Sequence, residues 1–243
     1  MVEKEKPREG GLREASGSQG ADARLSSEET AEGTKRSRPL AMPAWLRVLG
    51  PILGFALLNA LAAQVSWRQA NGDYLTLQSA SVLLCAMLLD HRRAAAAQAV
   101  YLLLGLAGLP FFAAGGGWRY AAEPSFGYLA AFVPAACLSA FCLRETRIKT
   151  MKSYLGFGLG ALGVIYGIGV SYRYFILNAY LGRVMPMAET LRGLLPLQIP
   201  KDILTCLLLS WLLAKRDQLR RKKIWLEEER QGEENRLTDG EAE

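Results

Sequence analysis

The feature that most constrains this chain is a series of long apolar stretches, such as "GYLAAFVPAACLSAFCL" at residues 127–143, which carries no charged side chain. A helix rises about 1.5 Å per residue, so stretches of this kind cross a hydrocarbon core of about 30 Å. A water-soluble core of similar size would use amphipathic helices with polar faces, which these stretches lack. The sequence therefore predicts an all-α, polytopic membrane protein.

Six membrane segments are predicted within a membrane domain at residues 43–215, giving a six-transmembrane-helix bundle. Their ranges are 46–65, 75–89, 94–109, 127–143, 154–177 and 199–214. Residues 1–42 mix charges with Gly and Ser, so we expect a disordered N-terminal tail without a signal peptide. Residues 216–243 are predicted to be a charged cytoplasmic tail.

Basic side chains in the short loops predict the orientation of the bundle. With both termini inside, the cytoplasmic side carries most of them: Arg92, Arg93, Arg144, Arg147, Lys149, Lys152 and the basic run at 215–223. The loops after the first and third segments hold only Arg68 and Arg119. We therefore expect a multi-pass protein of the plasma (inner) membrane with both termini cytoplasmic. Insertion into a lipid bilayer explains the net charge of +6, and no nucleic acid partner is expected.

Three interruptions of the apolar pattern fall on the outer side in this orientation. They are "YLTLQ" at 74–78, the turn "GLPFFAAGGGWRY" at 108–120, and "PLQIPKD" at 196–202. Irregular backbone at membrane depth is tolerated only where protein buries it or a cavity solvates it. The three interruptions are therefore predicted to meet in one pocket at the outer face.

The turn offers backbone N–H groups that no Cβ shields, and aromatic side chains for a pocket wall. The candidate ligand contacts there are Gly115, Gly116, Gly117, Phe112, Trp118, Tyr120 and Tyr128. The alternative is a tight turn beside an interfacial belt of aromatic residues.

Polar residues in the other two interruptions are further candidates. Thr76 and Gln78 can bind a ligand or hydrogen-bond a neighbouring helix. A carboxylate such as that of Asp202 costs about 2.5–3.5 kcal/mol at the bilayer centre, which favours a function. Alternatively, Asp202 stabilises a helix N-terminus that begins near Pro200, and Lys201 extends to the headgroups.

Small residues on the first segment form a stripe that includes Ala56 and Ala60. Such a stripe lets another helix approach closely, either a partner's helix or one of the same bundle. The sequence contains no P-loop, no GxSxG, no zinc-ligand spacing and no paired carboxylates. We therefore expect no enzyme activity, no cofactor and no metal site.

Four stretches together resemble the BioY family, the biotin-specific substrate-binding subunits of energy-coupling factor (ECF) transporters. They are "LTLQSASVLL" (75–84), "YLLLGLAGLPFFAAGGG" (101–117), "EPSFGYLAAFVPA" (123–135) and "LLPLQIPKD" (194–202). The resemblance implies biotin as substrate, captured from outside in a pocket closed by the outer loops. It also implies a transmembrane coupling protein and two ATPase subunits as partners, with Ala56 and Ala60 as the contact to the coupling protein.

The sequence departs from the family at the start of the last segment. The family ending is P-G-D-x-x-K, whereas here Lys201 replaces the glycine and Thr205 replaces the lysine. Asp202 matches the family aspartate, which implies an acceptor for the ureido N–H groups of biotin. The alternative is a binding subunit of the same fold for another vitamin.

Overall fold

The protein is mostly helical in a computed structural model that describes residues 43–68, 74–184, 186–192 and 196–240. The helices are α1 (Ala44–Gln64), α2 (Gln78–Leu88), α3 (His91–Leu106), α4 (Phe126–Glu145), α5 (Met151–Phe175), α6 (Met187–Arg192) and α7 (Gln198–Gly240). The tail predicted to be disordered, residues 1–42, lies outside the described residues.

Three of these helical stretches are long and apolar enough to cross a membrane, judged over the described residues. They are Trp45–Gln64, Phe126–Glu145 and Met151–Tyr180, the last including a π-helical turn at Ile176–Tyr180. The prediction of a multi-pass helical membrane protein is confirmed at this level. Each of the six predicted segments overlaps one of α1–α5 or α7, but α2 and α3 are shorter than the other four.

A small hairpin precedes α2, which the expectation of an all-helical chain missed. Strands β1 (Ser66–Arg68) and β2 (Tyr74–Thr76) pair antiparallel, with Ser66 opposite Thr76. Each strand has three residues, which is too short for a periodic pattern, although aromatic and β-branched residues favour extended backbone. As a result Thr76 ends a strand, and Gln78 is the first residue of α2.

The core of the bundle consists of apolar and small side chains from α1–α5 and α7. On α1, the exposed side chains Leu53, Leu57 and Leu61 alternate with the buried face that carries Ala56 and Ala60. These two alanines, predicted to contact a partner helix, are only 2% and 4% exposed and lie in the core cluster. In this structure the stripe therefore packs against the protein's own helices, because small side chains let α1 approach them closely.

The basic loops gather at one end of the bundle. The guanidinium of Arg221 on α7 donates to the backbone carbonyl of Lys149 at 3.3 Å, and the Tyr154 hydroxyl donates to Asp217 at 2.7 Å. The strand β2, the 3₁₀ helix at Trp118–Ala122 and the first turn of α7 lie at the opposite end. The three interruptions of the apolar pattern therefore do share one end of the fold.

Candidate ligand-binding cavity

A cavity opens at this second end, between the hairpin, the 3₁₀ helix and helices α2, α4, α5 and α7. Its polar wall is formed by Tyr74, Thr76, Gln78, Ser79, Tyr120, Ser125, Tyr128, Tyr166, Gln198 and Asp202. Its apolar wall is formed by Ala113, Leu129, Phe132 and Ile165. Aromatic and aliphatic walls with a few convergent polar groups are typical of sites for small molecules.

The buried carboxylate of Asp202 is the strongest electrostatic feature of this cavity. Asp202 is 2% exposed. Its Oδ1 accepts a hydrogen bond from the Ser79 hydroxyl, and its Oδ2 accepts one from the Tyr166 hydroxyl at 2.5 Å. These contacts reach α2 and α5, so the carboxylate joins three helices rather than only stabilising the start of its own. A desolvated, hydrogen-bonded carboxylate is a strong acceptor for N–H donors.

The ammonium group of Lys201 neutralises part of this charge. Its Nζ lies 2.8 Å from Asp202 Oδ1 and donates to the backbone carbonyl of Thr76. It also lies 3.4 Å from the Ser79 hydroxyl. Lys201 is therefore tied to α2 and β2 rather than extended to the headgroups. Thr205, at the position of the family lysine, donates instead to the Lys201 backbone carbonyl at 2.8 Å.

Gln78 lines the cavity, and a hydrogen bond to a residue outside the cavity holds its side chain in place. Its Nε2 donates to the Tyr101 hydroxyl on α3 at 2.6 Å, and Tyr101 packs edge-on against Phe112 with ring centroids 5.6 Å apart. The structure shows the bond to a neighbouring helix, and Gln78 also lines the cavity, so a contact with a ligand stays a prediction.

The glycine-rich turn is held mainly by its own backbone. The Gly117 N–H donates to the Gly105 carbonyl at 2.8 Å, and the Gly115 N–H donates to Phe112 at 3.1 Å. Gly115 and Gly117 have φ values of 107° and 104°, a backbone conformation that residues with a Cβ rarely adopt. Two of the N–H groups predicted to approach a ligand are thus already bonded, and these glycines shape the turn instead.

Tyr120 is the aromatic residue that the turn delivers to the cavity. Its ring packs on the ring of the buried Phe112, with centroids 4.6 Å apart. The Ser125 hydroxyl donates to the Tyr120 hydroxyl at 3.4 Å. Burial raises the pKa of the Tyr120 phenol above its ordinary value, so the group remains a neutral donor. Phe112 itself lies behind the wall, as a support for Tyr120.

Trp118, a predicted ligand contact, does not line the cavity that contains Asp202. It is 75% exposed and borders a separate depression of about 460 Å³ with Arg119, Ile176 and Tyr180. Its ring lies beneath the Arg119 guanidinium, 5.8 Å from the ring centroid. Residues two positions apart on a 3₁₀ helix point in different directions, so Tyr120 turns inward while Trp118 turns outward.

Two important residues were missed by sequence reasoning, namely Ser79 and Tyr166. Both donate to Asp202, although they lie on different helices from it and from each other. Tyr166 carried a usable signal, because a tyrosine inside an apolar helix needs a partner for its hydroxyl. Ser79 carried little, since serine is common where membrane helices pack.

These features define a class: a multi-pass helical membrane protein with a polar, carboxylate-bearing cavity at one end of its bundle. The family model described as the BioY family matches residues 34–222. This match covers most of the chain, and the protein belongs to the BioY family.

Curated relatives and a solved structure agree with this assignment. A stretch of 127 residues is 38% identical to the probable biotin transporter BioY of Lysinibacillus sphaericus, covering 52% of this chain and 64% of that protein. Another, of 106 residues, is 38% identical to the biotin transporter BioY of Thermotoga maritima, covering 43% and 59%. The aligned chain thus spans about three fifths of the length of these relatives.

The fold is similar to the crystal structure of the S-component for biotin from an ECF-type ABC transporter. The TM-score is 0.57 at 20% identity, and the match covers 73% of this chain and 95% of that one. At this identity the likeness establishes the fold alone.

Proposed function

We propose that this protein takes up biotin as the substrate-binding subunit of an ECF-type transporter and that it is not an enzyme. The observation that carries the proposal is the buried carboxylate of Asp202 in the cavity of a BioY-family bundle. The proposal also draws on the similarity to the probable biotin transporter BioY of Lysinibacillus sphaericus and the biotin transporter BioY of Thermotoga maritima.

The chemistry of the cavity matches the functional groups of biotin. The ureido ring offers two N–H donors, and Asp202 is an anionic acceptor already surrounded by donors that can rearrange. The ureido carbonyl needs a donor, which Gln78, Tyr120 or Tyr128 can supply. The apolar thiophane ring fits beside Leu129, Phe132 and Ile165.

Entry of such a ligand requires movement of the wall. The cavity is partly open and narrow between its lining side chains, with about 50 Å³ of free volume, so we infer that the wall widens to take a bicyclic vitamin. The 3₁₀ helix and the glycine-rich turn form its roof and lie between α3 and α4 in the chain. We infer that these segments move outward to admit the ligand, as the loops that close the pocket.

Binding of biotin by the purified protein tests the proposal directly. Isothermal titration in detergent or nanodiscs should give saturable biotin binding, with desthiobiotin a weaker competitor. Thiamine and lipoate serve as comparison ligands, because the Lys201 and Thr205 departures leave a different vitamin as the alternative. Folded protein that binds another vitamin but not biotin would establish that alternative.

We further propose that α1–α5 and α7 all span the plasma membrane, with the cavity facing outward and both termini in the cytoplasm. The clustering of Arg144, Lys149 and Arg221 at the end opposite Asp202 supports this orientation. The tail at 216–243 then lies in the cytoplasm. Helix α7 extends into this tail as far as Gly240.

The orientation leads to a topological prediction. Alkaline phosphatase fused after residue 243 or before residue 1 should be inactive, whereas a green fluorescent protein fused at either end should fluoresce. A fusion inserted after Arg119 should give the reverse result. Active phosphatase at both termini would place the Asp202 cavity on the cytoplasmic side.

The ECF coupling protein is expected to meet a surface that the bundle leaves exposed. Ala56 and Ala60 are buried, so we infer that α1 contacts the coupling protein through its outward face, where Gly54 has open space beside it. The two ATPase subunits would then act through this coupling protein.

Ala60→Leu should therefore lower thermal stability, biotin binding and uptake together. Overpacking a core of this kind costs about 1–3 kcal/mol. The matched control Gly54→Leu places the same side chain on the exposed face and should preserve folding and binding while reducing uptake. Melting temperature, dissociation constant and cellular uptake are measured for each variant. If Ala60→Leu protein has normal stability and binding but reduced uptake, the stripe with Ala56 and Ala60 is the surface that contacts the coupling protein.

A further inference from the structure

Two tyrosines on neighbouring helices each pack over a glycine of the opposite helix. Tyr128 of α4 lies against Gly169 of α5, and Tyr172 of α5 lies against Gly127 of α4. A Cβ added at either glycine would overlap side-chain carbons of the facing tyrosine. Both glycines are buried within helices, so the requirement is for space rather than for an unusual backbone conformation.

The first of these tyrosines forms part of the cavity wall. Tyr128 packs edge-on against Tyr166, with ring centroids 6.2 Å apart, and Tyr166 donates to Asp202. The Tyr128 hydroxyl is buried and has no hydrogen-bond partner among the described residues. A shift of this ring would therefore change both the free volume of the cavity and the placement of the Tyr166 hydroxyl.

The second tyrosine holds the roof. The Tyr172 hydroxyl donates to the backbone carbonyl of Ala121, in the 3₁₀ helix that carries Tyr120. Its ring also packs on Phe126, with centroids 5.9 Å apart. Tyr172 thus ties the roof to α5 at the point where α4 begins.

We propose that Gly169 and Gly127 are positioning residues for the ligand cavity, acting through Tyr128 and Tyr172 respectively. Gly169 sets how far the Tyr128 ring projects into the cavity, and Gly127 sets the anchor of the roof. The effect on ligand selectivity rests on the proposed biotin function, whereas the effect on the roof does not. Because the free volume between the lining side chains is only about 50 Å³, a small movement of the Tyr128 ring changes a large share of it.

Gly169→Ala tests the wall. Displacement of the Tyr128 ring should weaken biotin binding about 5- to 150-fold, in line with the usual cost of overpacking. Desthiobiotin, which lacks the second ring and the sulfur, should lose less affinity. Gly163→Ala is the matched control, since a Cβ at this position of the same helix meets open space, and its affinity should be unchanged.

A double-mutant cycle identifies Tyr128 as the intermediary. Tyr128→Leu removes the ring that the added methyl group would overlap, so adding Gly169→Ala to Tyr128→Leu should cause no further loss of affinity. The double variant should also fold if Gly169→Ala alone does not. Additive losses, or an equal loss of biotin and desthiobiotin affinity in Gly169→Ala, would overturn the role assigned to Gly169.

Gly127→Ala tests the roof by a readout that needs no ligand. Displacement of Tyr172 should speed amide hydrogen exchange in residues 118–122 relative to the wild type, and Tyr172→Phe, which removes only the hydroxyl, should do the same. Unchanged exchange in both variants would overturn the role of Gly127. A wild-type protein that binds no biotin would refute the proposed substrate but leave this exchange result valid.

Discussion

Asp202→Asn should weaken biotin binding by one to two orders of magnitude while the protein remains folded. Each charge-assisted hydrogen bond to a buried carboxylate contributes about 1.5–3 kcal/mol, and about 1.4 kcal/mol is tenfold in affinity. Asparagine keeps the shape of the side chain but replaces one acceptor oxygen with an N–H₂ donor. At the Oδ1 position that donor would face the Lys201 ammonium, which cannot accept a hydrogen bond. At the Oδ2 position it would face the Tyr166 hydroxyl, and one acceptor for the ureido N–H groups of biotin would still be lost.

The structure provides a matched control for this change on the same helix. Asp217 also accepts a tyrosine hydroxyl, that of Tyr154 at 2.7 Å, but it lies at the opposite end of the bundle. Asp217→Asn should therefore lower stability slightly and leave the biotin dissociation constant unchanged. Dissociation constants and melting temperatures are measured for both variants. If Asp202→Asn retains wild-type affinity, Asp202 is a structural carboxylate and the ureido group is bound elsewhere.

The sequence predicted the positions of the long apolar helices well because their signal is local. An apolar stretch must span or pack, whatever its neighbours are, and the six predicted segments overlap α1–α5 and α7. Asp202 was identified for the same reason, since a carboxylate in such surroundings is costly wherever the chain places it. The hairpin was missed because three-residue strands contain too little pattern.

The partners of Asp202 could not be predicted in the same way. Ser79 and Asp202 are separated by 123 residues, so their contact depends on how α2 and α7 pack. The inward face of α1 is likewise fixed by packing, which is why the small-residue stripe with Ala60 left two readings open. Trp118 and Tyr120 differ by two positions in one turn, and only the geometry of the 3₁₀ helix decides which one reaches the cavity.

Gly116 lies where the glycine-rich turn meets the end of α3, and it leaves no room for a side chain. A Cβ at this position would overlap the backbone carbonyl oxygen of Leu109 and lie 2.9 Å from that of Gly105. Backbone atoms cannot rotate away as a side chain can, and the Gly105 carbonyl already accepts the Gly117 N–H at 2.8 Å. Gly116→Ala should therefore displace the whole turn, including Ala113 and the 3₁₀ helix beyond it.

We expect Gly116→Ala to reduce biotin affinity about 5- to 150-fold, because overpacking costs about 1–3 kcal/mol and the turn forms the cavity roof. Ala114→Ser, an exposed substitution in the same turn, is the matched control and should bind normally. Titration gives the affinities, and hydrogen exchange in residues 111–122 locates the change. The bundle should keep its slow exchange in α4 and α5, since the strain is confined to the turn. Normal affinity in Gly116→Ala, with faster exchange in the turn, would show that the roof does not contribute to binding.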